Sequence, residues 1–181
     1  MDLLCSSVGS LTNPAKIANT LKSKQGNGVS ANTIRSYIGH LEDAFLFSES
    51  KRYDVKGKSY FDYPNKYYSE DIGLRNARIG FRQQEMTHIM ENIIYNELIV
   101  RQFSVDVGVV YARSVNDRTY IQSAYAMPTE EKSEIELRPF ALTGDFFPKI
   151  VVRKDIGKRW YDNNGILNIN VIDFLLDKEL I

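Results

Sequence analysis

The chain has 181 residues, 43% of them hydrophobic and 25% charged, the make-up of a globular protein with one large domain or two small ones. Its 23 basic and 23 acidic residues leave a formal net charge of zero, so there is no overall electrostatic bias. The single cysteine, Cys5, excludes an internal disulfide framework and suits a reducing compartment. No apolar run approaches the ~18 residues a membrane span needs. The start, Met1-Asp2, does not read as a signal peptide. A cytoplasmic protein with no membrane partner is expected.

In chain order, residues 2–8 read as a helix stopped by Gly9. The stretch TNPAKIANTLKSK has Thr12 or Asn13 as N-cap, Pro14 at the first helical position and an apolar stripe of Ile17, Ala18 and Leu21. After the Gly-rich breaker QGNGV, Ser30 caps a second helix, in which Ile34, Ile38, Leu41 and Phe45 recur at helical spacing. Aromatic and lysine-rich sequence around a turn-like VKGK predicts a β-hairpin, with strands near 45–53 and 59–68. Helix, helix, hairpin is the order of a winged helix-turn-helix.

Beyond Asp71, IGLRNARIGF reads as a connector or short irregular helix. QEMTHIMENIIYNELIVR predicts an amphipathic helix, and strands are expected at 105–113 and 118–127. A helix follows, capped by Thr129 and ended by Pro139. Strands at 148–155 and 166–169 and a terminal helix complete an α/β layer domain. The expected division is 1–70 for the winged helix-turn-helix, 71–84 for a connector and 85–181 for the α/β domain.

Up to Tyr60 there are eight basic residues against five acidic ones, an excess of three charges that leaves the remainder with the opposite excess. In a helix-turn-helix the second helix enters the major groove with its N-terminal turns. With Ile34, Ile38 and Leu41 facing the core, Asn32, Thr33, Arg35 and Ser36 face outward and can hydrogen-bond phosphates or base edges. Lys56 and Lys58 fall at the expected wing tip, within reach of phosphate. A winged helix used for protein contact is the other reading, and Glu42 and Asp43 on the same helix favour it.

Glu91 stands on a helix leading into a sheet, where a carboxylate can be a metal ligand, with Asp106 as an acid downstream. A solvated helix carboxylate is the plainer alternative. Gln122, between Ile121 and Ser123, fits either a residue beside an active site or a hydrogen-bonded interior amide. His40 and His88 lack partners at zinc-ligand spacing. No GxxxxGK[ST] is present, so no P-loop ATP site is expected in this chain.

Taken together, SLTNPAKIANTL, SANTIRSYIGHLEDAFLF, KYYSEDIGLRNA, MENIIYNELIVRQFSVDVGVV and YIQSAYAMP resemble the C-terminal half of a family of prokaryotic AAA-type ATP-binding proteins. Members carry an N-terminal P-loop ATPase, a winged helix and a degenerate restriction-endonuclease-like domain. The resemblance implies an α+β, α/β chain: a winged helix followed by a PD-(D/E)xK-type core. In active nucleases of that core, a helix glutamate, a strand aspartate and a (D/E)xK strand bind Mg²⁺ and activate water. Glu91 matches the helix glutamate and Gln122 a Q-x-K strand, but the lysine position is Ala124. Only ARSVND separates the strand ending near Tyr111 from the one starting near Arg118, where the family has an acidic hairpin.

These departures lead to the expectation of a non-catalytic module. It would pair a winged helix, for DNA or for docking to the ATPase module, with a pseudo-nuclease domain. ATP would bind only in that other module. An active Mg²⁺-dependent nuclease using Glu91, Asp106 and Gln122, and a stand-alone DNA-binding regulator, are the alternatives.

Overall fold

The computed structural model describes residues 1–26, 28–54, 59–82, 85–107, 109–111 and 118–181, with residues 25, 54, 59–63 and 109–111 described by their backbone alone. Two compact units divide the chain. One is built on Met1–Arg52 and Tyr60–Asn92, the other mainly on Ile93–Ile181. The division falls inside a helix, eight residues beyond the start at 85 expected for the α/β domain. Among the described residues no helix is long and apolar enough to cross a membrane.

In the first unit, α1 (Asp2–Ser6) is followed by α2 (Pro14–Gln25) and α3 (Ala31–Asp43). Local chemistry sets their ends. The Asn13 side chain accepts the Lys16 N–H at 2.6 Å, with Pro14 at the first helical position. Ser30 Oγ accepts the Thr33 N–H at 3.1 Å. Leu4, Cys5, Val8, Ile17, Ala18, Ile34 and Ile38 meet Phe47 and Tyr67 in one apolar core.

Phe45, expected on the same inward stripe as Ile34 and Ile38, is instead 82% exposed. The helix has ended by then. Phe45 N–H bonds Glu42 O at 2.9 Å and Leu46 N–H bonds Leu41 O at 3.0 Å. This is the paired Schellman closure, and it requires Phe45 to take φ 54°. The left-handed turn throws the ring outward, while Leu41 and Leu46 stay packed on the core.

Strands β1 (Phe47–Asp54) and β2 (Ser59–Ser69) form a two-stranded sheet. Thr12 and Asn65 exchange backbone hydrogen bonds at 2.9 and 3.0 Å, fastening the segment before α2 to β2. The expected connector contains a regular helix, α4 (Ile72–Arg78), capped by Asp71, whose Oδ1 accepts the Leu74 N–H at 2.8 Å. It packs on α1, where Arg75 donates from Nε to Cys5 O at 2.8 Å. α5 (Met86–Val100) follows.

The second unit holds a six-stranded sheet of order β3-β4-β5-β6-β8-β7. The run expected as one strand over 105–113 is two, β3 (Ser104–Asp106) and β4 (Val109–Tyr111). They pair antiparallel with Asp106 opposite Val109. β4 pairs antiparallel with β5 (Arg118–Ala124). α6 (Glu130–Ala141) then crosses to β6 (Lys149–Arg153), parallel to β5. β7 (Trp160–Tyr161) turns back onto β8 (Leu167–Asn170), which is parallel to β6 and leads into α7 (Val171–Leu176).

Pro139 does not end α6 but lies inside it, two residues before the end. So close to the C-terminus a proline removes a single ladder bond, and the Leu142 N–H still closes on Pro139 O at 3.1 Å. On the α6 side of the sheet, Tyr120, Ala124, Met127, Phe140, Val151 and Ile166 form the core.

Candidate functional site

Along α3, Asn32, Arg35 and Ser36 are exposed, as the buried positions of Ile34 and Ile38 dictate. Arg35 Nη1 reaches Asn32 Oδ1 at 3.5 Å and Ser36 Oγ lies 3.5 Å from His40 Nε2, so the exposed polar groups form a loose, water-accessible row. Thr33 is half-buried, and its Oγ1 lies 2.9 Å from the Ser30 hydroxyl, which ties it into the helix cap. The C-terminal turn has the opposite character. Burial pushes the Glu42 carboxyl above its ordinary value, and neighbouring Glu49 and Asp43 add to the shift. Lys56 and Lys58 lie outside the described residues.

Glu91 sits in the first two turns of α5 and is only partly exposed. Its Oε1 accepts from Lys66 Nζ at 2.5 Å and from Tyr68 OH at 2.6 Å. Gly9, at φ 70°, passes so close that a Cβ there would stand 3.1 Å from His88 Nδ1 and 3.5 Å from Glu91 Oε2. The next residue, Asn92, is fully buried. It accepts the Ser69 N–H and donates to Ser69 O, both at 2.8 Å. Both side chains thus fasten α5 to β2. Lys66 and Tyr68 escaped the sequence reading because they stand 25 and 23 residues from Glu91. Their only local signal was alternation along a strand.

Asp106 and Gln122 belong to the other unit. Asp106 is half-buried at the end of β3. Gln122 lies on the α6 side of β5 and donates from Nε2 to Glu136 Oε2 at 2.8 Å; Glu136 also pairs with Lys132. Ala124, two residues on, is 2% exposed and part of the apolar core. Among the described residues no three His, Cys, Asp or Glu side chains converge as a metal site. The segment 112–117, where the acidic hairpin of the resembled family falls, is outside the described residues.

Cys5 is fully buried, and burial pushes its thiol up despite the lowering influence of Arg75, so it carries little nucleophilic character. Elsewhere on the sheet, Tyr120 OH donates to Asp145 Oδ2 at 2.6 Å, and Arg153 grips Asp155 through Nε and Nη2 at 2.9 and 2.8 Å. These pairs tie loops to the strands.

Residues 1–85 match a family described as a domain of unknown function (DUF8612). A Haemophilus influenzae protein described as uncharacterized is 34% identical over 187 aligned residues, covering 96% of this chain and 44% of its own length. The chain thus spans less than half the length of that relative. No solved structure matches.

Proposed function

We propose that this chain is a non-catalytic region of a larger AAA-type ATPase family protein, with a winged helix-turn-helix that contacts duplex DNA and a pseudo-nuclease domain beside it. The observation that carries the non-catalytic reading is Ala124. Where the resembled nucleases need a lysine to activate water, a methyl group is 2% exposed in the core. The other candidates lean the same way. The Glu91 Oε1 is held by a lysine and a tyrosine, and the Gln122 amide by Glu136. A metal at Glu91 would have to displace an ammonium already in contact.

DNA contact rests on the exposed Asn32, Arg35 and Ser36 of α3, in the turns that a helix-turn-helix presents to the groove. Docking to the ATPase module is the other use of this face. The larger setting rests on the sequence resemblance, and a relative more than twice as long accords with it.

Fluorescence anisotropy with a labelled duplex over a salt series, alongside plasmid incubated with Mg²⁺ or Mn²⁺, tests both halves. The expected outcome is salt-dependent duplex binding without cleavage, with affinity lowered by Arg35→Ala. Cleavage abolished by Glu91→Ala overturns the non-catalytic half. Duplex affinity indifferent to Arg35→Ala and to salt assigns the α3 face to docking.

A further inference from the structure

Arg75 is a buried cation, 6% exposed, with an unusual set of partners. Nε donates to Cys5 O and Nη1 to Asn76 Oδ1, each at 2.8 Å. Among the described residues no carboxylate pairs with it, and Nη2 makes no hydrogen bond. Burying a guanidinium without an anion is costly, so a site that keeps one has a use for its charge. Its two bonds hold the planar group in one orientation before any ligand arrives.

Arg75 lines a cavity of about 180 Å³ within the first unit. Arg78, Arg82, His88, Asp2 and Glu85 also line it. Both acids have partners: Asp2 pairs with Arg78 at 2.6 Å, and Glu85 Oε2 lies 2.9 Å from His88 Nε2, an ion pair when the imidazole is protonated. Arg82 has no ion pair among the described residues. Two guanidiniums, Arg75 and Arg82, are thus left without acids on one small concave surface.

We propose that this cavity binds a phosphomonoester group, with Arg75 and Arg82 balancing its charge. A carboxylate brings one negative charge, and a phosphodiester brings one charge and a substituent on each side. A phosphomonoester brings ≈ −1.5 to −2 at neutral pH and three acceptor oxygens, and it enters a recess end-first. Arginine nitrogens match such oxygens pairwise. The group can belong to a small phosphorylated molecule or to the 5′ end of a nucleic-acid strand. The site is separate from the α3 face and does not rest on the duplex-binding reading.

Calorimetric titration of the whole chain with inorganic phosphate, at ionic strength held constant with chloride, tests this. A 5′-phosphorylated single-stranded oligonucleotide is compared with its 5′-hydroxyl counterpart. Saturable binding of phosphate is expected, weakened about tenfold or more by Arg82→Gln and unchanged by Arg35→Ala. Arg82 is exposed, so the variant folds independently of the outcome. Tighter binding of the 5′-phosphorylated strand assigns the group to a nucleic-acid end, and equal binding of the two strands assigns it to a small molecule. No saturable phosphate binding, or binding indifferent to Arg82→Gln, overturns the proposal.

Discussion

The Lys66 ammonium and the Glu91 carboxylate stand 2.5 Å apart, with side-chain exposures of 20% and 22%. At that burial a charge left alone is expensive, whereas the intact pair is close to neutral in its net contribution. Lys66→Met should therefore lower stability by about 1–3 kcal/mol in urea unfolding. Glu91→Gln should cost less, because an amide oxygen still accepts from the Tyr68 hydroxyl. Equal stability of Lys66→Met and the parent would show that Glu91 has water or a cation available to replace the lysine.

Phe45 occupies a position that glycine fills best. Its φ of 54° is imposed by the Schellman closure of α3, and its ring is 82% exposed, with little packing to offset the strain. Phe45→Gly is expected to stabilise the protein by up to about 1 kcal/mol, less the greater chain entropy glycine brings to the unfolded state. Gln102 (φ 67°), after α5, repeats the geometry, with Gln102 N–H on Ile99 O and Phe103 N–H on Leu98 O. Gln102→Gly should act in the same direction. Thermal unfolding of both variants reads this out. A loss on Phe45→Gly would mean the ring has a packing role.

What could be read from the chain beforehand follows the range of the interactions. The N-caps Asn13, Ser30 and Thr129 each accept from an N–H three residues on, so their helices were legible. The separation of β3 from β4 is not legible in the sequence, because both strands draw on the same valine-rich, strand-forming residue types. The α4 segment reads as a connector or a short irregular helix because its one buried side chain is an arginine, whose partner Cys5 lies 70 residues away. Its position on a helix before a sheet marks Glu91 in the sequence. The lysine and tyrosine that engage it come from β2, and no local pattern announces them.

Asp155 links stability to pH. The Arg153 guanidinium beside it lowers its carboxyl from 3.8 to about 2, helped by the Met127 N–H. A depressed folded-state value means the stabilisation is complete above the unfolded value near 3.9 and is lost as pH falls towards about 2. Because the residue is partly in solvent, screening reduces the contribution to about 1 kcal/mol. Asp155→Asn should cost that amount at pH 7. The gap to the parent should narrow between pH 4 and about 2. Denaturant midpoints across that range decide it; a gap independent of pH would place the effect in packing rather than charge.

Arg101 closes the end of the last helix. From the turn after α5 its Nη1 donates to Asp177 O at 2.9 Å, and its Nη2 to Phe174 O at 3.1 Å and Leu175 O at 3.0 Å. Glu97 holds Nε at 2.8 Å, and the guanidinium lies 5.6 Å from the centre of the Phe174 ring. A six-residue helix cannot sustain itself, so α7 depends on such external donors to its terminal carbonyls. Arg101→Met keeps the aliphatic stem and removes all of these bonds. It should cost about 2–3 kcal/mol and speed amide hydrogen exchange in α7 more than in β6. Arg101→Lys should recover little, since one ammonium cannot span three carbonyls and still meet Glu97. Unchanged exchange in α7 with Arg101→Met would show that burial of Phe174 and Val171 alone holds the helix in place.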